Sequence, residues 1–297
     1  MRIGYIPSPR ISGASAQPMT DDPEQERRIT ESEAAFADEH DLRDLEIDRW
    51  SWPTDAFPHR EEEFELIEQY DLNVACVGLW GKDYMGEEAD HAEAELDRAL
   101  EFAEAADASV FVTGTEVPAE MDEETAWDEG IAFYGDVIDR ITARGFTPAF
   151  YFGHGDTPLI GYDLEDMRRF TDELPNATLK VDPANLMAGG LDPKRVLDEI
   201  ASRVGHFHIK DALFVDEGDG DGRRPVDQPP AGMGDVPWGN VVNLLYLGGY
   251  DGVLSIEPHG EYWGHRADDT PRHQGIRIAQ EQVAQYLKPA DRPDYLA

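Results

Sequence analysis

The chain has 297 residues and 40% apolar content, which suits one large domain or two small ones. Its 63 acidic residues exceed its 25 basic residues by 38, a balance that disfavours nucleic-acid partners. One cysteine excludes a disulfide framework within the chain, and no apolar run reaches the length of a membrane span, so we expect a cytoplasmic protein that does not bind membranes.

The acidic residues are spread over every predicted helix instead of being gathered in a tail, and aromatic residues are too plentiful for a disordered chain. Molar salt screens the mutual repulsion of such a surface. We therefore expect a protein from a halophilic organism. High salt also weakens contacts with phosphates, so charge excludes nucleic acid only weakly; we still expect no nucleic-acid partner.

Eight short β-prone runs alternate with eight helical stretches. The strands are expected near 2–6, 44–50, 72–79, 108–113, 147–152, 177–181, 204–210 and 252–257. The helices are expected near 23–40, 59–70, 88–106, 122–144, 163–173, 192–201, 238–248 and 271–287. Strict alternation indicates parallel strands with right-handed crossovers, and eight such units predict a single (β/α)8 TIM barrel. A doubly wound sheet is the rival, but no glycine-rich nucleotide loop follows the first strand.

No linker divides the sequence, so one domain is expected over residues 1–297. The long irregular stretch 213–236 lies between strand seven and its helix, and we expect it over the C-terminal face of the barrel. Its acidic run lacks the spacing of an EF-hand calcium loop. Residues 288–297 are expected to form a C-terminal tail.

Strand seven carries an unusual polar face. In VGHFHIKDA (204–212), His206, His208 and Lys210 alternate, so they share one side of the strand. Barrel enzymes build their sites at the C-terminal ends of strands, where an inward charge meets a wet mouth. The polar residues at the ends of strands five to eight are His154, Asp156, Asp182, Asn185, His208, Lys210, Asp211, Glu257 and His259.

Three of these strand ends are expected to converge. Glu257 shares a face of strand eight with Val253 and Ser255, so it should point into the barrel beside Asp182 and His208. Two carboxylates and one imidazole suit Mn²⁺, Mg²⁺, Co²⁺ or Zn²⁺. His206 alone is most simply a hydrogen-bonded structural residue.

The C-terminal half resembles the xylose-isomerase-like barrels, the sugar phosphate isomerase/epimerase family. The matching segments are VDPANLMAGGLDP (181–193), VGHFHIKDA (204–212) and GMGDVPWGNVVNLLYLGGYDGVLSIEPH (232–259). In that family a divalent metal is held by Glu, Asp, His and Glu from strands five to eight. The resemblance implies Asp182, His208 and Glu257 for the last three.

Strand five departs from the family pattern, which resembles L-E-x-H. Here the chain reads Phe152-Gly153-His154, so Phe152 is expected at the position of the first glutamate while the histidine is kept. His154 is a candidate substitute ligand or substrate contact, and Glu116 at the end of strand four is a second replacement.

The resemblance implies a metal-assisted isomerase or epimerase that acts on a sugar, keto-sugar or polyol through an enediolate. Glu257 would be ligand and proton-transfer base, while Lys210 and His154 would hold substrate oxygens. Lys210 could instead simply balance the charge of Asp182 or Asp211. The remaining candidate substrate contacts are Asn185 and the aromatic residues near strand ends, above all Trp80 and Trp263, with Trp50, Trp52 and Tyr262.

Three alternatives stay open. A dehydratase or lyase could expel water from the same enediolate. A non-catalytic sugar-binding barrel would have lost its metal. A nuclease resembling endonuclease IV needs more strand-end histidines and glutamates than the N-terminal half provides, and it ranks last. We expect a small-molecule sugar or polyol as the partner and leave a homo-oligomer open.

Overall fold

The computed structural model describes residues 1–7, 29–49, 60–82, 84–153, 157–216, 223–260, 262–264 and 269–293. Eight parallel strands close into a barrel in the order β1-β10-β7-β6-β5-β4-β3-β2. The barrel strands are β1 (Arg2–Tyr5), β2 (Asp44–Arg49), β3 (Asn73–Leu79), β4 (Val110–Thr113), β5 (Thr147–Phe150), β6 (Thr178–Val181), β7 (Val204–Ile209) and β10 (Val253–Ile256). The predicted (β/α)8 barrel is confirmed, with β10 as the eighth strand.

Helices surround the barrel. They are α1 (Glu31–Glu39), α2 (Arg60–Gln69), α3 (Ala89–Ala105), α4 (Glu123–Ala143), α5 (Leu164–Glu173), α6 (Pro183–Ala188), α7 (Pro193–Ile200), α8 (Trp238–Gly248) and α9 (Asp269–Ala284). Several begin at an aspartate that accepts a backbone N–H of the first turn, as Asp122, Asp163 and Asp192 do. Within the described part of the chain, no helix is long and apolar enough to cross a membrane.

Side chains alternate along each strand between the barrel interior and the surrounding helices, so the apolar residues form two separate layers. Inside the barrel, Cys76, Val112, Ala149 and Tyr151 form a small apolar cluster. The larger core lies between the strands and the helices and includes Phe150 of β5. The register between neighbouring strands brings inward residues of adjacent strands to similar heights along the barrel axis. On β2, β6, β7 and β10 most of these inward residues are polar.

The long loop after β7 has secondary structure that the sequence did not suggest. Residues Leu213–Asp216 (β8) and Arg223–Asp227 (β9) pair as an antiparallel hairpin. The short helix α6 after β6 is a second such element. The expected tail also begins with a packed turn, in which Asp291 accepts hydrogen bonds from the N-terminal amine and Tyr246. Of the helix expected at 23–40, residues 23–28 lie outside the described residues.

Candidate metal and substrate site

The structure brings Asp182, His208 and Glu257 together at the C-terminal end of the barrel. His208 Nδ1 lies 3.0 Å from Glu257 Oε2 and 4.0 Å from Asp182 Oδ2. One ligand atom from each residue falls within 4.8 Å of the others. Since metal–ligand bonds are about 2.0–2.3 Å long, a single ion could contact all three atoms after small side-chain adjustments.

A carboxylate that sequence reasoning missed lies behind this group. Glu46 of β2 is fully buried and faces the inward side of β7. Its Oε1 is 2.9 Å from His208 Nε2, and its Oε2 is 2.6 Å from His206 Nε2. When His208 Nε2 donates to Glu46, Nδ1 is the nitrogen left to face a metal, which is how outer carboxylates commonly orient histidine ligands. His206, expected to be structural, is hydrogen-bonded to the same glutamate.

Two buried lysines balance the acidic groups. Lys210 Nζ lies 3.4 Å from Asp182 Oδ2 and 3.1 Å from Glu257 Oε2. Lys180, on the inward face of β6, has its Nζ 4.0 Å from Asp182 Oδ2 and 5.0 Å from the centre of the Trp80 ring. Lys180 also escaped sequence reasoning, although it lies on β6 only two residues before Asp182.

Electrostatics keep this network charged. Burial by itself lowers the pKa of His208, but the charge of Glu46 and the hydrogen bond to Glu257 outweigh it and raise the pKa to about 9. Burial by itself raises the pKa of Glu257, but Lys210 and His208 hold it well below its ordinary value. In Lys210 the charges of Asp182 and Glu257 outweigh burial and raise the pKa. A metal at His208 must therefore displace the Nδ1 proton at neutral pH.

Asp182 has two separate tasks. Its Oδ1 accepts the backbone N–H of Asn185 at 3.0 Å and so begins α6. Its Oδ2 is buried, and Lys210 Nζ faces it without a well-aligned hydrogen bond. A buried carboxylate oxygen of this kind suits a cation, so the donor set fits a divalent metal. Asn185 itself is buried next to Asp182, and its contact with substrate stays a prediction.

The structure places Phe152, the residue expected at the position of a metal-binding glutamate, off the inward face of strand five. Phe152 packs in the outer core, edge-on to Tyr162 at 6.0 Å between ring centres. Tyr151 is the inward residue, stacked on Trp80 at 4.5 Å. A shift of one residue reverses the face of a strand, so the geometry favours Tyr151 at the inward position where Phe152 was expected. The second suggestion, Glu116, joins none of the ligand groups found among the described residues.

Tyr162 fills the space beside strand five. A Cβ atom added to Gly153 or to Gly189 would lie 2.3 Å from its ring, so both positions need glycine. Gly189 therefore serves this contact, whereas Gly190 has φ +83° and forms the turn. Burial, and next the charge of Asp182, raise the pKa of Tyr162 to about 12, so its hydroxyl stays protonated and can donate a hydrogen bond.

Two of the predicted aromatic walls border the site. The Trp80 ring centre is 6.5 Å from that of His208. Trp263 lines a small cavity together with Lys210, Glu257 and His259. His259 Nδ1 is 3.9 Å from the second oxygen of Glu257. Four other candidates lie outside the described residues, so their roles stay predictions: Trp50, Trp52, His154 and Asp156.

Asp211 is structural. Its side chain is fully buried and accepts hydrogen bonds from five groups, which are the backbone N–H groups of Ala212, Gly232, Gly234 and Val236 and the indole N–H of Trp238. A Cβ atom at Gly234 would lie 2.4 Å from its carboxylate. The G-x-G-x-V-x-W segment (232–238) therefore folds around this one carboxylate. The hydrogen bonds hold the loop in place next to Lys210.

Comparisons with known proteins agree with this architecture. No curated protein matches the chain. Among solved structures, D-psicose 3-epimerase from Clostridium cellulolyticum H10, with D-tagatose, has a TM-score of 0.66 at 13% identity over 87% of this chain and 93% of that one. A xylose isomerase-like TIM barrel protein from Mycobacterium smegmatis, in complex with magnesium, has a TM-score of 0.65 at 16% identity over 85% and 89%.

The probable 3-DHS dehydratase AsbF from Bacillus anthracis has a TM-score of 0.66 at 14% identity over 94% of this chain and 98% of that one. These identities are low, so the similarities establish the fold alone. The family model described as xylose isomerase-like TIM barrel matches residues 34–286. The chain therefore belongs to the xylose isomerase-like TIM barrel family.

Proposed function

We propose that the protein is a divalent-metal-assisted isomerase or epimerase that acts on a sugar, keto-sugar or polyol through an enediolate. The observation that carries the proposal is the group of Asp182, His208 and Glu257, in which Glu46 orients the histidine. The known structures of similar fold include a sugar epimerase and a magnesium complex, which makes this chemistry a natural first test.

Asp182, His208 and Glu257 would hold Mn²⁺, Mg²⁺, Co²⁺ or Zn²⁺. When bound, the metal would act as a Lewis acid that stabilises negative charge on a substrate oxygen. Glu257 is ionised and is the carboxylate nearest the mouth, with about a sixth of its side chain exposed, so it is the base that would take a proton from the carbon next to the carbonyl. Lys210 would bind substrate oxygens.

Further contacts would orient the sugar. The protonated Tyr162 would donate a hydrogen bond from the strand-five side, while Asn185 and His154 would contact hydroxyl groups. Trp80 and Trp263 would cover the apolar faces of the ring. In this scheme the hairpin of the 213–236 loop lies over the mouth of a single domain spanning 1–297.

A dehydratase or lyase is the second candidate. Epimerisation with two bases needs a second carboxylate across the substrate, and among the described residues strand five supplies none. Lys210, which is protonated and 3.1 Å from Glu257, could instead give a proton to a departing hydroxyl. A barrel that binds sugar without a metal is the remaining alternative.

For the molecule as a whole, we propose adaptation to high salt, a cytoplasmic location and no nucleic-acid partner.

The test combines metal binding with product analysis in molar KCl. Mn²⁺ titration by calorimetry should show about one ion per chain, and His208→Gln should abolish binding. His206→Gln is the matched control, because it also contacts Glu46 but does not face the ligand group; it should retain binding.

A panel of ketoses and keto-polyols in D₂O, followed by NMR, separates the reactions. Deuterium uptake with a changed configuration or carbonyl position indicates an isomerase or epimerase, and loss of water indicates a dehydratase. If the protein binds sugar but neither binds metal nor converts the sugar, the non-catalytic sugar-binding barrel is the function that remains, and the enzymatic proposal is overturned.

A further inference from the structure

Lys210 contacts the same two oxygen atoms that the candidate metal group would offer. Its ammonium is 3.4 Å from Asp182 Oδ2 and 3.1 Å from Glu257 Oε2, and these two atoms lie 4.0 Å and 3.0 Å from His208 Nδ1. The lysine side chain is only 5% exposed, so this arrangement is enclosed by protein. A lysine ammonium therefore occupies the place between the carboxylates where a divalent ion would reside.

A metal and this ammonium are mutually exclusive at that place. An ion bound at about 2.0–2.3 Å from both oxygens would leave the ammonium within a few ångströms of a double positive charge. Such charges repel each other strongly even at an effective dielectric constant of about 20. The lysine must consequently move before the ion can bind with normal bond lengths.

The structure offers somewhere for the side chain to go. Lys210 lines the small cavity that also borders Glu257, His259 and Trp263. Movement in that direction takes the ammonium away from Asp182 while keeping it beside the site. Lys180 differs, because its ammonium lies over Trp80 and approaches Asp182 Oδ2 only to 4.0 Å.

We propose that Lys210 is a built-in competitor of the divalent cation: its ammonium bridges Asp182 and Glu257 and is exchanged for the metal on binding. This inference rests on the metal site of the proposed function and adds to it a device that weakens metal affinity. It also assigns Lys210 two positions, one between the carboxylates and one beside the cavity, where it can reach substrate.

Mn²⁺ titration calorimetry of metal-stripped protein, at one pH and one molar KCl concentration, tests the exchange. Lys210→Met, which keeps the length of the side chain and removes the charge, should bind Mn²⁺ at least tenfold more tightly than the original chain. Lys180→Met is the matched control for a general loss of positive charge, and its affinity should change less than threefold. Lys210→Arg, which keeps the charge, should not gain affinity.

Thermal unfolding provides a second readout. Without metal, Lys210→Met should melt at a lower temperature, because the ammonium that bridges Asp182 and Glu257 is lost. Adding Mn²⁺ should raise its melting temperature by more than it raises that of the original chain. Lys210→Gln serves if the methionine variant does not fold. Equal or weaker Mn²⁺ binding by the neutral variants overturns the exchange.

The same experiment separates this inference from the proposed function. Binding by Lys210→Met but not by the original chain supports the competitor and overturns metal-assisted catalysis in the natural protein. Similar gains in Lys210→Met and Lys180→Met overturn the competitor, because they reflect only the loss of positive charge. Absence of binding in every variant overturns both proposals.

Discussion

Replacing Asp211 by asparagine should destabilise the barrel strongly, although the two side chains have nearly the same shape. Oδ1 accepts the N–H groups of Ala212 and Val236, and Oδ2 accepts three more. Whichever way the new amide turns, its NH₂ group faces at least two of these five N–H donors. Each buried donor left without an acceptor costs about 1–3 kcal/mol, so we expect a loss of about 3–5 kcal/mol in the free energy of unfolding.

Equilibrium unfolding in urea at fixed molar KCl, followed by circular dichroism, measures the change. Asp235→Asn is the control: Asp235 lies in the same loop, is exposed and accepts the backbone N–H of Phe214 at 2.8 Å. That variant should lose less than about 1 kcal/mol, as is usual for exposed positions. Equal effects of the two substitutions would refute the reasoning that the loop is organised by one buried carboxylate.

Three other outcomes are expected. The melting temperature should rise between about 0.1 and 3 M KCl, because salt screens the excess of 38 negative charges; a flat profile would contradict adaptation to salt. In EDTA, the raised pKa of His208 should contribute up to about 3 kcal/mol of stability that is complete below its ordinary value of 6.5 and lost as pH rises through about 9. Urea unfolding across that range measures it, and the slope should vanish in His208→Gln. Phe152→Glu should lower the free energy of unfolding by about 3 kcal/mol or more, because it places a carboxylate in the apolar core, and it should leave Mn²⁺ affinity unchanged in calorimetry. Tighter Mn²⁺ binding would instead indicate that residue 152 does stand at the position of the family's glutamate.

The barrel was accessible from sequence because its signal is repeated eight times. Each alternation of an apolar run with a helical stretch is weak evidence, but the units support one another, and closure follows from their number. The proximity of Asp182, His208 and Glu257 could be predicted for a related reason. Each residue lies on a barrel strand or directly after one, and the C-terminal ends of all barrel strands meet at the same mouth.

Glu46 was hidden by the composition of the chain. Its segment, DLEIDRW, places Asp44, Glu46 and Asp48 on one face of a strand, which is a visible signal in most proteins. In a chain with 63 acidic residues, such a pattern is easily attributed to the solvated surface. Burial distinguishes them, since Glu46 is 0% exposed, and burial depends on strand neighbours distant in sequence. Phe152 was misplaced for another reason: Phe150, Tyr151 and Phe152 are all large and aromatic, so the sequence does not show which of them faces the barrel interior.

The single cysteine is a natural probe of how often the barrel opens. Cys76 is fully buried among Val112, Ala149 and Tyr151, and burial raises the pKa of its thiol well above the ordinary value. A disulfide reagent can modify it only while the strands around it separate, so the labelling rate reports how often the barrel opens. No engineered probe is needed, and the same measurement in low and high salt would show whether the acidic surface slows that opening or only shifts the overall folding equilibrium.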